Sequence, residues 1–297
     1  MRSIRDVLSQ DGATLATAIA LARDEARIEV QMLLQRALNV GRAYLLAHPE
    51  QILDVSKQAE YEAMLQRRQQ GEPIAHILGE REFYGLSFKV TPATLIPRPE
   101  TELLVELALQ RIPSHGKCRV LDLGTGTGAI AISIAHERQD AEVVAVDASS
   151  AALEVARENA QRLGIDSVRF VQSDWFSALG AHRFDLVVSN PPYISAGDKH
   201  LKQGDVRFEP VSALTAGADG LDDIRRIVRD AGQYLETGGW LLLEHGYHQA
   251  EKVRDLLSQN GFWKIFSEMD LAGIARVSGG MANHLVFQSV GEKRDSV

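Results

Sequence analysis

Apolar positions in the first 70 residues recur at helical spacing. Ala26, Ile28, Val30, Leu33, Leu34 and Leu38 fall within Asp24 to Leu38, and Gly41 follows as a stop signal. Ala43 to Ala47 forms a short apolar segment closed by Pro49. Asp54 to Gln70 reads as a polar helix with Tyr61, Met64 and Leu65 on one side, ended by Gly71. These stretches predict a bundle of four or five helices over residues 1–72. The pattern then changes. Glu80 to Val90 alternates through Phe83, Tyr84, Phe88 and Val90 about a Gly85-Leu86 turn, which predicts a β-hairpin linker within 73–100. Pro92, Pro97 and Pro99 stiffen the loop that follows, and Thr101 is placed to cap a helix through Val105 and Leu109.

From Cys118 the pattern becomes short apolar runs alternating with amphipathic stretches. Strands are predicted at Cys118 to Leu123, Glu142 to Val146, Val168 to Gln172, Phe184 to Val188 and Trp240 to Leu243, with Phe262 to Glu268 and His284 to Gln288 closing the series. Helices are predicted at Ala129 to Arg138, Ala151 to Leu163, Leu221 to Leu235 and Ala250 to Gln259. Such alternation implies an α/β domain over about 101–290, built on a doubly wound, mostly parallel, seven-stranded sheet. Residues 291–297 form a polar tail.

Composition narrows the class. The chain has 297 residues, long enough for two domains, and its 45% hydrophobic and 24% charged content suits a globular protein. Its apolar runs are far short of a membrane span, and Met-Arg-Ser-Ile-Arg-Asp lacks the apolar core of a signal peptide. A cytoplasmic protein without membrane contact is therefore expected. The net charge of −8 argues against a direct nucleic-acid substrate, and the first 75 residues, with 9 Lys+Arg and 10 Asp+Glu, hide no basic domain. The single cysteine, Cys118, and nine histidines without metal-ligand spacing predict no metal.

The chemistry concentrates at the predicted carboxyl ends of successive strands, the edge where open α/β sheets bind ligands. Gly124-Thr125-Gly126-Thr127-Gly128 follows the first strand. Asp147 ends the second, nineteen residues after Gly128, and can take both hydroxyls of a ribose. Ser173-Asp174-Trp175 follows the third; Trp175 could be core, but its place after the acid favours a cofactor contact. Asn190-Pro191-Pro192-Tyr193 ends the fourth. Neither proline can donate to a ladder, so the strand stops there. It presents the Asn190 amide, bare carbonyl acceptors and the Tyr193 ring. Two acceptors, the Asn190 side-chain oxygen and the Pro191 carbonyl, can hold the hydrogens of a planar –NH₂ group and favour the positive charge that develops as its nitrogen attacks an electrophile. Tyr193 can lie flat against that group. From the residues alone, an amide and a nucleobase amino group remain equally open as acceptors. Arg98 and Glu100 stand where they could face this site, and a stiff interdomain loop accounts for their prolines equally well. Glu244-His245-Gly246 ends the fifth strand nearby and is expected to be a strand terminus without chemistry. A NAD-dependent dehydrogenase is disfavoured by the G-x-G-x-G spacing and by the Asn-Pro-Pro-Tyr terminus. A non-catalytic binding module would not need the Asn190 constellation.

The glycine loop paired with Asn190-Pro191-Pro192-Tyr193 resembles class I S-adenosylmethionine-dependent methyltransferases, and more closely the HemK/PrmC family of peptide chain release factor glutamine methyltransferases. The likeness extends to Gly71-Glu72-Pro73-Ile74-Ala75-His76, Leu95-Ile96-Pro97-Arg98-Pro99, Ser173-Asp174-Trp175-Phe176 and Gly204-Asp205-Val206-Arg207-Phe208-Glu209-Pro210, covering nearly the whole chain. It implies S-adenosyl-L-methionine as cofactor, S-adenosyl-L-homocysteine as product, and the glutamine of the Gly-Gly-Gln motif of class I release factors as substrate. It places Gly124 to Gly128 against the methionine part, Asp147 on the ribose, Trp175 on the adenine, and Asn190 to Tyr193 on the glutamine amide. A ribosomal-protein glutamine methyltransferase or a nucleobase amino-methyltransferase is the alternative. The helical bundle is expected to recognise the substrate, or else to be a stabilising appendage.

Overall fold

The computed structural model describes residues 2–283, and the chain divides into two compact units. The first comprises Met1–Glu80 together with Lys199–Phe208. Five helices build it: α1 (Ile4–Ile19), α2 (Arg23–Leu38), α3 (Arg42–Ala47), α4 (Val55–Gln69) and α5 (Ile74–Leu78). Ser3 and Asp6 close the start of α1 with a reciprocal capping box. Ile4, Val30, Leu33, Leu34 and Tyr61 form its buried centre. The Tyr61 hydroxyl donates to Asp11 at 2.9 Å, tying α4 to α1. Arg68, only 3% exposed, pairs with Glu29 at 2.7 Å and with Asp205 at 3.1 Å, so the late segment 199–208 is held by a buried charge. The sequence placed the end of the bundle at 72; the division falls after Glu80, because α5 adds Ile74 and Ile77 to the same core.

The second unit comprises Arg81–Asp198 and Glu209–Val297. The hairpin strands β1 (Glu80–Phe83) and β2 (Leu86–Lys89) lead into it. Their turn is Tyr84-Gly85, both at positive φ (51° and 75°), rather than the expected Gly85-Leu86. Paired left-handed residues match the right-handed twist of a two-residue hairpin. Phe83 and Phe88 sink into a core with Leu104 and Ile130, so the hairpin is packed structure.

A 3-10 turn, Pro99–Thr101, opens α6 (Glu102–Arg111). Thr101 does not cap it: the residue has helical angles and makes no capping bond. Then come β3 (Cys118–Leu123), α7 (Ala129–Glu137), β4 (Ala141–Asp147), α8 (Ser150–Leu163), β5 (Val168–Gln172), β6 (Phe184–Ser189), α9 (Asp222–Tyr234), β7 (Leu235–Glu244), α10 (Ala250–Gln259), β8 (Phe262–Met269) and β9 (Ala275–Ala282). The seven-stranded sheet has the order β5-β4-β3-β6-β7-β9-β8, with β9 antiparallel to both neighbours. The chain moves outward from β3 through β4 to β5, then crosses to β6 on the other side of β3. That reversal opens a crevice outside the carboxyl ends of β3 and β6.

The expected closing strand at 284–288 and the polar tail at 291–297 lie outside the described residues. The strand beside β8 is β9, which the sequence did not predict because Ser278, Gly279 and Gly280 interrupt it. Those glycines answer to packing: a Cβ on Gly279 would stand 2.7 Å from the Leu241 carbonyl and 2.8 Å from Phe266. Cys118 is buried, and burial pushes its thiol up to about 11, in keeping with an inert core role. Among the described residues no helix is long and apolar enough to cross a membrane, and no cluster of His, Cys, Asp and Glu could hold a metal.

Candidate active site

The ends of β3, β4, β5 and β6 converge on a cavity of about 520 Å³ that lies wholly within the second unit. Gly124, Thr125, Gly126, Thr127, Asp147, Trp175, Asn190 and Pro192 all line it. Gly128, Pro191 and Tyr193 do not.

The glycine loop is folded by the strands beneath it. The N–H groups of Gly124 and Thr125 both donate to the Val146 carbonyl at 2.9 Å. Asp122, fully buried, accepts from the Thr125 hydroxyl at 2.6 Å, and burial pushes its carboxyl up to about 7. Gly126 has φ +55° and no atom within 4 Å of where a Cβ would stand, so a ligand can approach its backbone. Gly128 serves packing instead: its Cβ would meet Ile132 at 2.7 Å and Ala156 at 3.2 Å. Asn159, buried on α8, donates to the carbonyls of Thr127 and Lys89 at 2.9 and 3.0 Å and accepts from the Lys89 N–H at 2.7 Å. It fastens loop and hairpin together.

Asp147 accepts the Gly126 N–H on one oxygen and the Ser149 N–H on the other, each at 2.9 Å. Both oxygens keep lone pairs for a diol. Trp175 sits at a positive φ of 51°, a strained angle for a bulky residue. Its ring is held 3.3 Å from the Cβ position of Gly124, and Asp223, whose carboxyl is raised by burial, lines the same cavity from the start of α9. Glycine loop, paired-oxygen carboxylate and aromatic wall together fit a nucleoside-bearing ligand.

The acceptor side is built from β6 and β7. The Ser189 hydroxyl donates to the Leu123 carbonyl at 2.7 Å, locking the two strand ends together. The Asn190 side-chain nitrogen then donates to the Thr101 hydroxyl oxygen at 3.1 Å. The Tyr193 hydroxyl donates to Glu244 at 3.3 Å, and burial raises both groups, Glu244 to about 7. The Tyr193 carbonyl is gripped by the side-chain nitrogen of the buried Gln249 at 3.0 Å. Arg98 lines the cavity and pairs with the buried Glu209, which also accepts the Ile96 N–H at 3.1 Å. His245 is buried between the Gly246 carbonyl and Ser278, and burial lowers its pKa. Sequence reasoning did not find Thr101, Asn159, Asp223 or Gln249. Each works beside residues distant in sequence, 89 residues away for Thr101, so no local motif marks it.

Two family profiles match the chain: "Methyltransferase small domain" over residues 100–206 and "PrmC N-terminal domain" over 13–79. The release factor glutamine methyltransferase of Burkholderia pseudomallei is 51% identical over 274 residues, covering 89% of this chain and 96% of that protein. That of Salmonella typhimurium is 50% identical over 257 residues, covering 86% and 92%. Among solved structures, the Thermus thermophilus 16S rRNA N2 G1207 methyltransferase, in complex with AdoMet and guanosine, aligns over 69% of this chain and 50% of its own with a TM-score of 0.53. At 23% identity that likeness is one of fold. Identity near one half, sustained across both units, makes this chain a member of the release factor glutamine methyltransferase family.

Proposed function

We infer that the enzyme transfers a methyl group from S-adenosyl-L-methionine to the side-chain amide nitrogen of the glutamine in the Gly-Gly-Gln motif of class I release factors, releasing S-adenosyl-L-homocysteine. The observation that carries the reading is Asn190: it stands at the carboxyl end of β6, on the same cavity as the glycine loop, Asp147 and Trp175. Gly124 to Thr127 would face the methionine part of the cofactor, Asp147 the ribose hydroxyls and Trp175 the adenine. When bound, the cofactor supplies an electrophilic methyl on a sulfonium.

The amide nitrogen of glutamine is a poor nucleophile because its lone pair is delocalised, as in the peptide bond. The Asn190 side-chain oxygen accepts one of its hydrogens, fixes its position and stabilises the charge that grows as the nitrogen attacks, while Pro191, off the cavity lining, serves to end the strand. Placement in line with the methyl supplies most of the rate. The alkylated nitrogen then loses its extra proton readily, so no strong base is needed. Tyr193 serves by holding the chain beneath the amide. The cavity lining comes entirely from the second unit, and we assign the helical bundle to recognition of the protein substrate in the cytoplasm.

Asn190→Ala should lower single-turnover methyl transfer by roughly 10²–10³, by analogy with deleting one preorganised donor at an oxyanion. kcat should fall more than KM rises, since the bond strengthens toward the transition state. Mass spectrometry of a purified release factor after incubation should locate one added methyl on the Gly-Gly-Gln glutamine. Methylation of a ribosomal protein or a nucleobase in its place would overturn the assignment.

A further inference from the structure

Two stretches outside the cofactor motifs, 92–98 and 210–213, contribute to the cavity lining, and both belong to the second unit. An ion pair joins them. The Glu209 side chain is fully buried; it accepts from Nη2 of Arg98 and from the Ile96 N–H at 3.1 Å. The loop is also moored beside the Asn190 strand end. The Thr101 N–H donates to the Arg98 carbonyl at 3.1 Å, and the Thr101 hydroxyl meets the Asn190 side chain. Arg98 itself lines the cavity with 30% of its side chain exposed. Among the described residues its Nε and Nη1 have no hydrogen-bond partner, and neither is sealed from solvent. A guanidinium carries five N–H donors in a rigid fork, so the bond to Glu209 leaves donors for a ligand. Arg226, the other arginine on the cavity, is engaged by Asp174 at 2.8 Å.

Resting on the function proposed above, we propose that Arg98 is a specificity-determining residue whose free donors hold backbone carbonyls of the Gly-Gly pair beside the substrate glutamine. Two glycines offer no side chain, so backbone N–H and C=O groups are their only polar handles. The carbonyls need donors, and Arg98 brings them to the cavity on a loop anchored next to Asn190. The pairing with Glu209 answers a problem of charge. Beside a sulfonium and an amide nitrogen that gains positive charge, a lone arginine would slow the reaction by repulsion. The buried carboxylate cancels that charge, fixes the guanidinium and leaves the remaining donors in place.

The test uses the double variant Arg98→Met, Glu209→Gln. It removes the donors without stranding a buried charge, and glutamine still accepts the Ile96 N–H. Arg98→Lys, which keeps a cation for Glu209 but loses the fork, takes its place if the double variant does not fold. Each enzyme is assayed on a release factor and on three synthetic Gly-Gly-Gln peptides: one all-amide, and two with an ester after the first or the second glycine. An ester carbonyl is a poorer acceptor than an amide carbonyl. The variant should lose roughly 10- to 100-fold in kcat/KM on the release factor, the scale for a hydrogen bond to a charged group. Its Kd for S-adenosylhomocysteine should stay within about twofold of wild type. At least one ester should slow the wild-type enzyme, and that penalty should vanish in the variant, as in a double-mutant cycle. Near wild-type kcat/KM in the variant would overturn the proposal. So would equal ester penalties in both enzymes, which would mark Arg98 as loop support, and so would a wild-type enzyme that methylates the release factor but none of the peptides. A wild-type enzyme that leaves the release factor itself unmethylated would instead overturn the proposed function, and this inference with it.

Discussion

Gly220 lies in the turn ahead of α9 at φ +75°, a conformation that L side chains adopt at a penalty of roughly 1–2 kcal/mol. A Cβ there would stand 2.2 Å from the Tyr193 carbonyl oxygen and 2.9 Å from the Gln249 side-chain nitrogen. Ordinary contact begins near 3.4 Å, so the Asn-Pro-Pro-Tyr backbone would have to retreat by about 1.2 Å (3.4 less 2.2). That retreat also breaks the 3.0 Å bond from Gln249 to the Tyr193 carbonyl. Overpacking of this kind costs about 1–3 kcal/mol, which with the backbone penalty gives about 2–5 kcal/mol for Gly220→Ala. A displacement near 1 Å costs about 100-fold in rate. Gly220 itself is not among the cavity-lining residues, but Asp223 and Arg226 on the helix it leads into are. The variant should therefore show a Tm lower by roughly 5–15 °C, a single-turnover rate about 100-fold down, and a loss of S-adenosylhomocysteine affinity by calorimetry that is smaller than the loss in rate. Wild-type turnover in a folded Gly220→Ala enzyme would refute the claim that this contact sets the position of the Asn190 segment.

Asp147→Ala should weaken S-adenosylhomocysteine by roughly 1.5–3 kcal/mol, the range for hydrogen bonds to a charged acceptor, and unchanged affinity by calorimetry would remove Asp147 from the site. Asp122→Asn tests the buried carboxyl under the glycine loop, whose pKa stands at about 7 against an ordinary 3.8. The folded state holds that proton more tightly, so the wild-type contribution is fully present below pH 4 and is lost as pH rises toward 7. Denaturant titrations should show the asparagine variant gaining on wild type by up to about 4 kcal/mol across that window, and parallel stability curves would refute the assignment.

The parts of this fold that were legible in the sequence are those where local pattern and tertiary role agree. The runs that became β3, β4 and β6 are largely apolar because they are buried on both faces, and the prolines after Asn190 mark the strand end without ambiguity. The place of Asp147 was legible because an acid directly after an apolar strand marks that strand's end, here beside the glycine loop. Residues that answer to distant neighbours were not legible. Thr101 reads as a helix cap, yet its hydroxyl is taken by Asn190. Glu244 reads as a plain strand terminus, since nothing nearby in sequence shows that Tyr193 lies against it. Gly279 reads as a strand breaker, while the space between β7 and Phe266 admits nothing larger there. Tyr193 was expected against the substrate; it borders no part of the cavity, because its phenol turns to Glu244.

The segment Lys199–Phe208 belongs with the helices of the first unit, and this sets a timetable for synthesis. Asp205 follows Arg68 by 137 residues. At about 5–20 residues per second a ribosome takes roughly 7–30 s to cover that interval, ample time for helices to form. While β3 to β6 are still being made, Arg68 has Glu29 but lacks its second carboxylate, and the space that Arg207 fills beside Gly71 is empty. The nascent helical unit thus waits, partly neutralised, for a strap that comes only after the Asn190 strand has left the ribosome. A chain stalled before residue 199 should display that unit in a loosened form, with α4 more open to proteolysis than in the finished protein.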